Sequence, residues 1–161
     1  MNIEIRRITE QELPKVAALA GQLLRQHHTT DPLRFFLPEN PEQGYEWWFA
    51  RELRNPNVVL LAAVIETEVG AVEVVGYVYG RLEERDWNLL LDEHAAIHDL
   101  FVAPTARQSG VGGRLLETAI SELAQLGAVR FVLSTMVSNA AAQKLFAKHG
   151  FRPTLLEMTR G

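Results

Sequence analysis

Ile3, Ile5 and Ile8 stand among charged residues at the start of the chain, as they would in a short strand. The pattern changes at Thr9. Glu12 follows at capping-box spacing, and Leu13, Val16, Ala17, Ala20 and Leu24 then recur every three to four residues, predicting a helix with one buried face. From His27 to Gly44 the chain is polar and proline-containing, interrupted by Leu33, Phe35, Phe36 and Leu37, which reads as a long loop. Tyr45, Trp48, Phe49 and Leu53 restore a helical face until Asn55-Pro56-Asn57 stops it.

Val58–Ile65 and Ala71–Arg81 are rich in β-branched residues and separated by Glu66–Gly70, the pattern of a hairpin. Arg85–Glu93 reads as a second loop. A strand through Ala95–Val102 ends at Pro104, and Leu115, Leu116, Ala119, Ile120 and Leu123 mark a helix that Gly127 closes. Arg130–Met136 reads as a strand, Asn139–His149 as a helix closed by Gly150, and Thr154–Met158 as a last short strand. The order is β α α β β β α β α β. It predicts an α/β fold in which a mixed, mostly antiparallel sheet is flanked by helices on both faces.

Composition narrows this further. With 161 residues, 47% of them hydrophobic, the chain suits a single domain over 1–161. No cysteine is present, which excludes a disulfide framework, a thiol nucleophile and Cys-ligated metal, and fits a cytoplasmic protein. The longest apolar run, Val58–Ile65, falls far short of the ~20 residues that cross a bilayer, so no membrane partner is expected. The net charge of −4 argues against a nucleic-acid partner. Charge is unevenly placed: residues 1–93 hold 16 acids and 9 bases, residues 94–161 hold 4 and 7. An anionic ligand on the C-terminal half and a cationic one facing the N-terminal half would suit that asymmetry.

The candidate chemistry lies between Leu100 and Leu116, where a predicted strand passes through a glycine-containing turn into a predicted helix. Unsatisfied N–H groups at a helix start attract phosphate oxygens, and glycines let them approach, so Gln108–Gly113 forms a candidate pyrophosphate cradle with Arg107 adding charge. A dinucleotide fingerprint fails here, because Leu115 stands where a small residue is needed and Arg130 near where an acid is needed. A Walker A loop fails for want of a Gly-Lys-Ser/Thr run.

Arg107-x-x-Gly110-x-Gly112 after a strand and before an amphipathic helix resembles the acetyl-CoA motif of the GNAT superfamily of N-acetyltransferases. Asn139-x-x-Ala142-x-x-Leu145-Phe146-x-x-x-Gly150-Phe151 is similar to a second segment of that family. The resemblance extends to the order of elements over nearly the whole chain. It implies that acetyl-CoA is the cofactor, with Leu100, Phe101 and Val102 offering backbone groups to the pantetheine arm. It also implies that the amides of Gln108, Ser109, Gly110, Val111, Gly112 and Gly113 take the pyrophosphate, that Asn139 contacts pantetheine, and that Phe146 lies beside the thioester. A homodimer is a further family expectation.

Acetylating an amine near pKa ~10.4 requires removal of a proton. Many family members carry a Glu at the position of His98, which makes His98 the catalytic candidate, because an imidazole titrating near ~6.5 can act as a base. The family's usual proton-donating Tyr is replaced by Phe146. A thiol of pKa near ~8.5 leaves tolerably without it, and Tyr77 or Tyr79 are the candidate replacements. A metal reading of His94, His98 and Asp99 fails, since four residues of strand span ~13 Å. Glu83, Glu84 and Trp87, with Asp86 nearby, are candidate contacts for a cationic acceptor, and the loop with His27, His28, Asp31, Phe35 and Phe36 would flank it. The expected activity is acetyl transfer to a small primary or polyamine-like amine. The alternatives are a protein N-terminus or lysine as acceptor, or a non-catalytic acyl-CoA sensor.

Overall fold

A computed structural model describes residues 2–161. Its strands are β1 (Ile3–Arg7), β2 (Val58–Glu66), β3 (Val72–Glu83), β4 (His94–Val102) and β5 (Phe131–Leu133), joined in the order β1-β2-β3-β4-β5. The first four pair antiparallel, while β5 runs parallel to β4. Helices α1 (Leu13–Thr30) and α2 (Pro41–Glu52) precede β2, α3 (Val111–Gln125) joins β4 to β5, and α4 (Ala140–Lys148) follows β5. The predicted mixed α/β architecture is present.

Two cores explain the patterning. Val59, Leu61 and Ala63 of β2, with Val75, Val78 and Ile97, meet Val111, Leu115, Leu116, Ala119 and Leu123 of α3. On the other face Val58, Leu60, Ala62 and Val64, with Tyr77, Tyr79 and Phe101, meet Val16, Leu19 and Ala20 of α1 and Phe49 of α2. Both faces of β2 are thus buried, which is why its sequence is continuously apolar rather than alternating. α3 lies close to the sheet because β3 carries glycines beneath it. A Cβ on Gly76 would come within 2.9 Å of the Phe101 carbonyl and 3.1 Å of Leu115, and one on Gly80 would meet Ala96 and Leu123 at 3.1 Å.

The capping box at Thr9 and Glu12 forms, but it opens a single 3-10 turn, Glu10–Glu12, that leads into α1 at Leu13. Glu12 accepts from the Thr9 amide at 2.9 Å and pairs with Arg6 at 2.5 Å, so its side chain ties β1 to the helix start.

Three predictions need correction. The loop expected from His27 to Gly44 is shorter: α1 continues to Thr30, and α2 begins at Pro41 with Asn40 capping the Gln43 amide. Proline is favourable in a first helical turn, so Pro41 starts the helix instead of marking the loop. β5 covers three residues rather than the whole of Arg130–Met136. Thr154–Met158 joins no ladder, and Leu155, Leu156 and Met158 remain 82%, 69% and 86% exposed. Glu157 is held instead by Arg34 of the α1–α2 loop, at 2.5 and 3.0 Å.

Candidate active site: an open strand edge beside a helix N-terminus

The site begins at a bulge in β4. Tyr79 pairs with Asp99 and Gly80 with Ile97, so His98 is the extra residue. On the opposite edge β5 pairs with Ala95, Ala96 and Ile97 and goes no further. His98–Val102 therefore has a strand neighbour on one side only. Ala103 donates its N–H to the Val75 carbonyl at 2.8 Å. Antiparallel alternation then commits the backbone of Phe101 to Tyr77 and turns the N–H and C=O groups of Leu100 and Val102 toward the open edge.

The expectation that Leu100, Phe101 and Val102 all offer backbone groups is thus divided. Leu100 and Val102 are placed to do so; Phe101 is held in the β3 ladder with its ring in the second core. The Val102 carbonyl already accepts from Arg107 Nε at 3.0 Å, and that guanidinium lies 5.4 Å from the Phe101 ring centroid. Arg107 is folded back as a brace for the loop.

Beyond β4, Pro104–Ala106 makes a 3-10 turn, and Gln108 and Gly110 adopt positive φ of 62° and 80°. Ser109 Oγ bonds the Ala106 carbonyl. Arg114 donates to the Gly110 carbonyl at 3.1 Å and is the first residue of α3 to make an intrahelical bond. The amides of Val111, Gly112 and Gly113 are consequently free at the helix N-terminus, where the dipole favours an anion. A Cβ on Gly110 would meet nothing within 4 Å, whereas those on Gly112 and Gly113 would meet Leu145 at 3.4 Å and His149 at 3.2 Å. Gly110 answers a backbone need at the cradle, and the next two glycines let α4 pack on α3. This donor set fits the pyrophosphate of acetyl-CoA.

Asn139 caps α4, its Oδ1 accepting from the Ala142 amide at 3.1 Å. Phe146 packs partly buried against the α3-side core, edge-on to Phe151 at 6.1 Å. Both thus have structural duties beside the roles the resemblance implies.

The side chains on the α1/α2 face of β4 form a polar cluster. His98 stacks on Tyr79, with centroids 5.5 Å apart, and its Nε2 lies 3.0 Å from Glu83 Oε1. Arg81 approaches the same Glu83 oxygen at 3.3 Å and donates to Glu52 Oε2 at 3.2 Å. Tyr79 donates to Glu52 at 2.8 Å and Tyr77 donates to Asp99 at 2.9 Å. Burial raises the Asp99 carboxyl above its ordinary range, opposed by the Tyr77 bond and by the charge of His98 and His27. Burial also holds the Tyr77 phenol well above its usual range and pushes Tyr79 up to about 12. With both hydroxyls donated to carboxylates, neither tyrosine is suited to replace the missing proton donor at Phe146.

Of the expected acceptor contacts, Glu83 belongs to this cluster, while Glu84 is exposed on the following loop. Trp87 is also exposed, with the Arg85 guanidinium 5.9 Å from its ring. Asp86 is engaged by the amides of Asn88 and Leu89. His27 and His28 fasten the α1–α2 loop: His27 meets the Phe35 ring edge-on at 4.9 Å, and His28 Nδ1 bonds the Phe35 carbonyl at 2.7 Å. Sequence patterning missed Asp99 and Glu52 as members of this cluster. An acid amid apolar neighbours in a strand was the available signal for Asp99.

Comparison with known proteins agrees with this geometry. The model of the Acetyltransferase (GNAT) family matches residues 22–151, and the chain belongs to that family. It is an acyltransferase with a GNAT fold. The chain is 32% identical over 117 residues to the uncharacterized N-acetyltransferase YhfO of Bacillus subtilis (strain 168), covering 73% of this chain and 74% of that one. It is 26% identical over 158 residues to the aminoalkylphosphonate N-acetyltransferase of Salmonella typhimurium, covering 98% and 90%. Among solved structures, the aminoglycoside N-acetyltransferase AAC(6')-Iy in complex with CoA superposes with a TM-score of 0.75 at 18% identity, covering 99% and 94%. Glucosamine-6-phosphate N-acetyltransferase from Arabidopsis thaliana gives 0.71 at 15%, covering 100% and 99%.

Proposed function

We propose that the protein transfers the acetyl group of acetyl-CoA to the primary amine of a small cationic molecule, by direct attack of the amine on the thioester, with His98 as the base. The observation that carries this reading is the juxtaposition on β4. An open backbone edge and a free helix N-terminus follow His98, and an acidic, aromatic cluster lies on the face toward α1 and α2. Acetyl-CoA supplies an activated acyl carbon.

The chain's own residues do the rest. Amides of Val111, Gly112 and Gly113, with those of Gln108, Ser109 and Gly110, hold the pyrophosphate; Leu100 and Val102 align the pantetheine arm, and Asn139 and Phe146 border it. The N–H of Val102 faces the edge where negative charge develops on the acyl oxygen. His98 would take the proton of the attacking amine, and a thiol leaving group of pKa ~8.5 would need no donor from Phe146. Asp99, Glu83 and Glu84 give the amine side of the site its negative character, with Trp87 a cation–π partner. The named activities of the Salmonella relative and of the aminoglycoside enzyme are both acetylations of amine-bearing small molecules, which favours that acceptor class.

The test has two stages. Calorimetric titration with acetyl-CoA, using NAD as control, should show saturable binding of acetyl-CoA alone. Thiol release is then followed over a panel of aliphatic diamines, 2-aminoethylphosphonate, an aminoglycoside, a lysine peptide and a peptide with a free N-terminus. Release with small amines supports the reading. Release with peptides alone transfers the acceptor to protein, and binding without release from any member leaves a sensor. A homodimer is the assembly we propose; light scattering that returns a monomer at micromolar concentration removes it.

A further inference from the structure

We propose that Glu83 is a positioning residue for His98: the two form a carboxylate–imidazole pair in which Glu83 fixes the ring's tautomer and leaves Nδ1 as the nitrogen that takes the amine proton. This rests on the reading of His98 as the base. Its own support is geometric. Glu83 Oε1 lies 3.0 Å from Nε2. A carboxylate only accepts, so Nε2 carries the hydrogen, and a neutral ring then has its lone pair on Nδ1. Among the described residues no side chain or backbone group bonds Nδ1.

The ring's orientation is determined from two sides. Tyr79 stacks against it at 5.5 Å with the planes 29° apart, and Glu83 meets its edge. Glu83 is in turn placed by Arg81, whose Nε is buried and 3.3 Å from the same oxygen but out of line for a hydrogen bond, so the contact is an ion pair. Arg81 and Tyr79 are both anchored on Glu52, a buried carboxylate of α2. A chain of contacts therefore runs from the core to the bulge, and the groups nearest His98 are Glu83, Arg81 and Tyr79 from β3 and Asp99 from β4. His27 of α1 stands beyond them, close enough to act on Asp99. This arrangement commits one Glu83 oxygen, Oε1, to both the ring and the guanidinium. A partly exposed pair of this kind contributes little to stability, so variants should fold.

The first readout is ring 15N NMR of the free, histidine-labelled protein, which needs no acceptor. Wild type should show the Nε2–H tautomer of His98, E83Q should retain most of it through its amide oxygen, and E83A should show a mixture. The second is steady-state kinetics with the best amine of the panel. E83A should lower kcat about tenfold, a part of the full worth of a general base, with acetyl-CoA affinity unchanged. E83Q should recover most of kcat, because its amide oxygen still accepts from Nε2–H. In an H98A background E83A should add no further loss.

An unchanged tautomer in E83A overturns the proposal. So does a raised amine KM that persists in the H98A background, which would make Glu83 a direct acceptor contact. Wild-type rates in H98A alone would instead remove His98 as base, a failure distinguishable from that of the pair.

Discussion

The two ends of β4 obey different rules. From Ala95 to Ile97 the strand has β3 on one side and β5 on the other, and its side chains are buried. From His98 to Val102 it has β3 alone, contains the bulge, and presents Leu100 and Val102 backbone groups to an edge without a strand. Such an edge is normally covered, because unpaired backbone groups attract other chains. Here it runs directly into the free amides of α3. The difference shows how one strand can be paired on both sides at one end and on one side only at the other. The parallel partner is short, and a single extra residue sets the boundary.

The largest effect should come from weakening the closed end. Ile97 is buried between β4, α3 and β5, so Ile97→Ala should lower unfolding free energy by about 2–5 kcal/mol in urea denaturation. Val102→Ala removes apolar volume from the open end, where the side chain is only partly buried, and should cost about 1 kcal/mol. Equal losses at the two positions would mean that both ends of the strand bear the same load, contrary to the pairing.

A second substitution attacks the open end's continuation while sparing the core. Gly110 has φ of 80° and no atom within 4 Å of a Cβ, so Gly110→Glu meets no neighbour but strains the left-handed backbone while adding a carboxylate at the cradle. Acetyl-CoA affinity by calorimetry should fall at least ~100-fold, by charge repulsion and occlusion. Gly110→Asn tolerates the left-handed backbone and serves as control, retaining affinity within about tenfold. Wild-type affinity in Gly110→Glu would remove the cradle assignment.

Much of this contrast was legible in the letters, but not its location. The order of elements through α4 followed from periodicity, since each face of β2, α1 and α3 has a partner core that rewards its pattern. The turn at Gly110 and the helix start at Val111 followed from the glycine spacing. The bulge did not, because it depends on which β3 residue each β4 residue meets, and one residue of slip reverses the assignment of open and committed backbone groups. For the same reason Phe101 was grouped with Leu100 and Val102. Thr154–Met158 failed differently: its apolar residues are compatible with a strand, but it joins no ladder, and Arg34 holds Glu157 instead. Asp99 and Glu52 were overlooked because a lone acid in an apolar segment acquires meaning only from the hydroxyl that bonds it, contributed by Tyr77 on β3 and Tyr79 on β3 respectively.

The smallest effect concerns what the open end costs. Asp99 sits just past the bulge, and burial raises its carboxyl above the unfolded-chain value near ~3.9. The folded state thus binds this proton more tightly than the unfolded state does. Its contribution to stability is greatest below the unfolded value and declines as pH rises through the window up to the raised folded value, after which it is constant. Asp99→Asn keeps an oxygen for Tyr77 to donate to and removes the titration. The variant should be more stable than wild type near pH 7, by on the order of 1 kcal/mol, and the advantage should shrink as pH approaches 4. Urea denaturation at several pH values reads both. Loss of stability at pH 7 would show that the charge on the Tyr77 bond outweighs the cost of burial, making the open end as well satisfied as the closed one. A gain would mean that β4 carries a destabilising carboxylate just past the bulge, with the apolar burial of the closed end compensating for it.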